Sequence, residues 1–141
     1  MPRANKTALI TGSGKNIGRA SALALAADGL NIIVNGSRDK AACENVADEV
    51  RALGVDAHVI MCDVGDPTAL RAMADEALEM FGTVDVLVNN AAVRPNSPFL
   101  EADDDEWERV LSIDFHSSRR LAQTCIPGML LLFYCESIKN W

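Results

Sequence analysis

Three groups of residues have types and spacings that could do chemistry. The first is Thr11-Gly12-Ser13-Gly14-Lys15-Asn16-Ile17-Gly18. Glycines let backbone N–H groups approach a ligand closely, and several such groups at the start of a helix suit a pyrophosphate. The second group is charged and polar residues at the ends of apolar runs. Ser37 and Arg38 follow one such run, and Asp63 and Val64 follow another. With Lys15, Arg38 offers a phosphate a guanidinium clamp and an ammonium charge. The third group is Asn89-Asn90-Ala91-Ala92, with Asp114 further on. Asparagine both donates and accepts, whereas an ionised aspartate only accepts.

Other combinations are set aside on spacing. Tyr134 is the single tyrosine, and a lysine on the same helix face would stand four residues on, where Ile138 is found. Lys139 is one step out of phase, so the two do not form a proton-transfer pair, and Ser137 has no motif around it. The acids Glu101, Asp103, Asp104, Asp105 and Glu106 precede a helix, where the dipole favours negative charge; with no His or Cys among them they are not a metal site. Cys43, Cys62, Cys125 and Cys135 contain no C-x-x-C pair, and the only histidines are His58 and His116.

The elements that must position these groups alternate along the chain. Thr7–Thr11, Asn31–Asn35, Ala57–Cys62 and Val84–Asn89 are short, continuous apolar runs, the pattern of strands buried on both faces. Between them lie helical segments. Ile17–Asp28 is alanine-rich and closes on Gly29; Ala42, Val46, Val50 and Leu53 share a face ahead of Gly54. Asp66-Pro67 opens a third helix, which Gly82 closes; Asp66 is read wholly as its cap. Asp103 and Glu106 resemble a capping box before a long stripe of Trp107, Val110, Leu111, Leu121, Cys125 and Met129. Asp114 falls on the inward side of that helix, and His116 faces away, toward the surface. Strand–helix alternation implies right-handed crossovers and a doubly wound parallel sheet, an α/β fold.

Composition narrows the function. The chain has 141 residues, 49% hydrophobic and 23% charged, with a net charge of −7. One ordinary domain with a real core fits. The acid excess argues against a nucleic-acid partner, which needs clustered cations. The longest apolar stretch, Met129–Cys135, is far short of a membrane span, and no signal peptide is evident; a cytoplasmic location and reduced thiols are expected. Cys62 sits in an apolar run and reads as a small core residue.

The ordered motifs resemble the short-chain dehydrogenase/reductase family over about residues 5–129, most closely its 3-oxoacyl-ACP-reductase-like members. Thr11, Gly12, Ile17 and Gly18 match the family's T-G-x-x-x-G-x-G turn, with Asn16 in place of the middle glycine. Asparagine is the non-glycine residue that best tolerates a left-handed backbone. Asp63-Val64 is similar to the adenine-binding Asp of the family, and Asn89-Asn90-Ala91-Ala92 to its N-N-A-G. The resemblance implies a Rossmann-type sheet of order 3-2-1-4 over residues 1–129. It implies cofactor contacts from Gly12, Ser13, Gly14, Lys15, Asn16, Ile17, Gly18, Ser37, Arg38, Asp63, Val64, Asn89, Asn90 and Ala91. The family's acid at the end of strand 2, which would read the ribose hydroxyls of NAD, is replaced by Gly36. With Lys15 and Arg38 nearby, NADP(H) is the preferred cofactor and NAD(H) the second choice.

Carbonyl/alcohol hydride transfer on a small molecule is the activity the resemblance implies. Asp114 occupies the position of the family's proton-relay Asn, while the Ser, Tyr and Lys that complete the machinery are not found in the sequence. The chain is accordingly read as truncated after its fourth helix, with 130–141 an atypical tail and no turnover of its own. The alternative is a catalytically silent cofactor-binding module or fragment. The tail could pair as a strand beside strand 4, extend the helix before it, or stay exposed and drive self-association.

Overall fold

The computed structural model describes residues 5–139, with side chains described for 5–131. Four strands form, β1 (Thr7–Ile10), β2 (Asn31–Gly36), β3 (Ala57–Met61) and β4 (Val86–Val88). They build one parallel sheet in the order β3-β2-β1-β4. Within β1 the pleat sends alternate residues to opposite faces. Leu9 joins one core with Ile33 and Ile60, and Ala8 and Ile10 join the other with Ile32 and Val34. That two-sided burial is what made the runs continuous rather than alternating.

Helices cover both faces. α1 (Asn16–Ala27) and α2 (Lys40–Arg51) pack on the side of Ala8 and Ile10, through Ala22, Ala26, Val46 and Val50. α3 (Pro67–Phe81) packs on the side of Leu9, through Leu70, Met73, Ala74 and Ala77. Truncating a buried side chain such as Leu70 or Met73 to alanine would cost about 2–5 kcal/mol. Asp66 caps α3 as expected, accepting from the N–H groups of Thr68 and Ala69, with Pro67 in the first turn. Asp39 does the same for α2 through Ala42.

β4 is shorter than the apolar run that foretold it. Val84 is still buried in the core, but only Val86–Val88 pair with β1. Among the described residues β4 is a sheet edge, paired on one side alone.

The final helical rod departs most from expectation. It comprises α4 (Asp104–Val110), a π-helical segment (Leu111–His116) and α5 (Ser117–Lys139), joined through helical backbone. A π turn bonds i to i+5 and so rotates everything after it relative to an α-helix. The expected stripe breaks there: Trp107 is 46% and Leu111 40% exposed. Ile113, Ser117, Leu121 and Cys125 face the core instead. His116 is half-buried, edge-on to Phe115, with a buried Nδ1 that has no hydrogen-bond partner, rather than a surface residue. Half of the expected capping box forms. Asp103 accepts from Glu106 N–H, while the Glu106 carboxylate takes the Ser97 hydroxyl.

The backbone passes through Pro127 and across 129–130 without leaving the helix, so the tail as far as Lys139 extends the preceding helix and does not add a strand. The side chains of Tyr134, Cys135, Ser137 and Lys139 lie outside the described residues. Among the described residues no helix is long and apolar enough to cross a membrane.

Candidate functional site

A cleft of about 520 Å³ opens at the carboxyl ends of the strands, where chain crossings in an open α/β sheet leave room for a ligand. Its floor is the turn between β1 and α1. Gly12 has φ +63° and Asn16 φ +49°, so asparagine does take the left-handed conformation that its place in the turn demands. Gly18 is required by close approach. A Cβ there would lie 2.4 Å from Gly12 O and 2.6 Å from Asn90 Nδ2. Lys15 precedes α1 in extended conformation, and no side chain caps the helix. The first N–H groups of α1 are therefore left for whatever occupies the cleft.

The turn is held by a network that its own sequence does not disclose. Asn35, fully buried at the end of β2, accepts from Gly12 N–H at 3.1 Å and donates to Ile60 O and Cys62 O. Its backbone C=O takes Ser13 N–H at 2.8 Å. Ser13 Oγ in turn donates to Ile10 O and accepts from Asn35 N–H. Ser13 thus acts from inside the turn. From the other side, Asn90 Nδ2 donates to Thr11 O and Gly12 O. Thr11 Oγ1 accepts both Asn90 and Ala91 N–H at 3.0 Å. Strands β1, β2 and β4 are locked to one turn by side-chain hydrogen bonds.

The residues expected at the site divide accordingly. Gly12, Gly14, Lys15, Asn16, Ile17, Gly18, Ser37, Arg38, Asp63, Val64, Asn90 and Ala91 line the cleft. Ile17 is 75% exposed, an apolar side chain presented to it. Asn89 is exposed and lies off the cleft wall; successive residues of extended chain alternate sides, and Asn90 has taken the inward one. Asp114 is exposed as well, not on an inward stripe, because the π segment carries it out of phase. Its Oδ1 accepts Val93 N–H at 2.9 Å. It holds the loop after β4.

Asp63 is engaged on both oxygens. Oδ1 accepts from Gly65 N–H and Oδ2 from Arg109 Nη2 at 2.7 Å. The Arg109 hydrogen bond holds the Asp63 carboxyl below the usual range. Arg109 on α4 was not foreseen, and nothing near it in the sequence announces it. Asn35 and Cys43 were also missed. Asn35 left a trace as the amide that closes the apolar run Asn31–Asn35. Cys43 is buried, and desolvation pushes its thiol pKa up. Lys15 and Arg38 are exposed at the cleft and, among the described residues, make no ion pair. Among the described residues no cluster of His, Cys, Asp or Glu is placed to hold a metal ion.

A parallel sheet of order β3-β2-β1-β4 flanked by helices, with a glycine turn clamped at the strand ends, defines a Rossmann-type α/β fold. The chain belongs to the short chain dehydrogenase family, whose model it matches over residues 6–134. Over 125 residues it is 37% identical to the 3-oxoacyl-[acyl-carrier-protein] reductase FabG of Staphylococcus aureus (strain Mu50), covering 89% of this chain and 51% of that protein. It is 38% identical over 109 residues to versicolorin reductase stcU of Emericella nidulans, covering 77% and 41%. Among solved structures, a metagenomic short-chain oxidoreductase in complex with NADP superposes with a TM-score of 0.84 at 29% identity, covering 90% of this chain and 57% of that one. The chain spans about half the length of the curated relatives it matches.

Proposed function

We propose that this chain forms the NADP(H)-binding part of an oxidoreductase that interconverts a small carbonyl compound and its alcohol. The observation that carries the reading is the charge arrangement at one end of the cleft. Lys15 and Arg38 stand there, in no ion pair among the described residues, with the Arg38 charge felt at Asp63, and Gly36 stands where an acid would read the ribose hydroxyls of NAD. Arg and Lys favour a 2′-phosphate, no carboxylate stands at position 36 itself to repel one, and the nearby Asp39 carboxylate is engaged in capping α2 through Ala42 N–H. The reductases above and the NADP-bound neighbour support the same reading.

The chain's residues divide the work. The N–H groups at the start of α1 receive the pyrophosphate, and Gly18 keeps the helix close enough for them to reach it. Asn35, Ser13, Thr11 and Asn90 hold the turn rigid so that these donors are preorganised. Asp63, oriented by Arg109 and Gly65 N–H, offers its remaining acceptor capacity at the adenine end. The nicotinamide supplies the hydride when bound.

Titration of NADPH and NADH, followed by nicotinamide fluorescence, tests the reading. Saturable binding favouring NADPH is expected, and Arg38→Glu should weaken NADPH about tenfold or more while sparing NADH. Unchanged NADPH affinity in that variant would refute the preference. A second reading, a cofactor module without turnover, draws on the out-of-phase spacing of Tyr134 and Lys139. Binding without carbonyl reduction would favour it.

A further inference from the structure

Cys43 lies in the first turn of α2, 1% exposed, beneath the adenosine end of the cleft. Its Sγ is wedged between two glycines. A Cβ at Gly36 would come within 2.4 Å of it, and a Cβ at Gly14 within 2.9 Å. Gly36 cannot draw back freely. Gly36 is paired with Met61 in the sheet, and its C=O accepts Cys62 N–H at 2.9 Å. The residue before it, Asn35, is fixed by the turn network. The Cβ of Gly14 would also meet the Cys43 backbone nitrogen at 3.5 Å.

We propose that Cys43 is a specificity-determining residue. Its thiol occupies the space that a side chain at position 36 would need, and so keeps the end of β2 bare. An acid placed near this point would accept from the ribose hydroxyls and repel a 2′-phosphate. While Cys43 holds its present position, such an acid cannot be accommodated without displacing a packed sulfur. Cys43 therefore limits which residue can stand at position 36, and through that position limits cofactor choice. This inference rests on the NADP(H) reading above and adds its structural cause. It also means that an acid placed at position 36 alone cannot reverse the preference.

The test has two arms on the same chain. The first is a thermal double-mutant cycle of Gly36→Ala and Cys43→Ala, which needs no cofactor. Gly36→Ala is expected to lower the melting temperature by several degrees in the presence of Cys43, and by much less in the Cys43→Ala background. The second arm titrates NADPH and NADH into Gly36→Asp, Cys43→Ala and the double variant. Cys43→Ala should keep the NADPH preference. Gly36→Asp alone should melt early and bind both cofactors poorly. The double variant should recover folding and shift the NADH-to-NADPH affinity ratio by about tenfold or more toward NADH. Additive melting temperatures, or a Gly36→Asp variant that folds normally and gains NADH by itself, would overturn the role of Cys43 while leaving the NADP(H) reading intact. A wild-type chain that prefers NADH, or binds neither cofactor, would overturn both.

Discussion

The carboxylate of Asp114 accepts the backbone N–H of Val93 at 2.9 Å, so the π-helical segment holds the loop that follows β4. The bond needs an acceptor and no charge. Asp114→Asn should therefore keep it, while Asp114→Ala removes it. Hydrogen exchange at the Val93 amide reads the difference directly. Exchange about tenfold faster in Asp114→Ala, with Asp114→Asn near wild type, is the expected result.

Asn35 is fully buried and uses both ends of its amide. Replacement by leucine of similar size strands Gly12 N–H and removes a donor from two carbonyls. The loss should be about 2–3 kcal/mol, measurable as a lower denaturant midpoint at unchanged slope. Thr11→Val, which removes the hydroxyl that accepts two N–H groups, should act alike, and Thr11→Ser should restore most of the loss.

Asp63 titrates below its ordinary value because of Arg109. A depressed carboxyl pKa adds stability above the unfolded value, near 3.9, and that stability is lost as pH falls through the folded value. Arg109→Ala removes the cause. Melting temperatures of wild type and variant should differ by a constant amount near neutrality and converge below about pH 4. A gap independent of pH would assign Arg109 a packing role alone.

Burial raises the thiols of Cys62 and Cys125 to about 11. A thiol kept neutral by folding and ionised on unfolding makes the native state lose stability as pH rises above the unfolded value, near 8.5. Stability should decline steadily between about pH 9 and 11, and less steeply in Cys125→Ala. Under native conditions these thiols and Cys43 should label slowly with Ellman's reagent, and quickly in denaturant.

The parts legible in the sequence were those decided by short-range chemistry. Continuous apolar runs gave away strands buried on two faces, since Leu9 and Ile10 serve opposite cores. Asp66 before Pro67 could hardly be anything but a helix start, and Asn16 carries the left-handed turn as its side chain allows. What escaped depends on a change of phase or on distant partners. One π turn moved Asp114 and Leu111 outward and drew His116 inward, and a fixed helical period cannot register it. Arg109 reaches an aspartate 46 residues away, and Asn35 serves a turn 23 residues before it. Cys43 is informative only once both of its glycines are seen against it.

Thr11 and Asn90 are separated by 79 residues, yet Asn90 closes the turn. On a ribosome adding roughly 5–20 residues per second, the floor of the cleft therefore waits roughly 4–16 s after Thr11 is made before the residue that closes it is even synthesised. Until then the turn has only its clamp from Ser13 and Asn35 and lacks the one that closes it from the β4 side. A nucleotide of the kind proposed above would assist the folding of this chain only late, as a ligand that captures the finished sheet and not as a template around which the first strand and helix assemble.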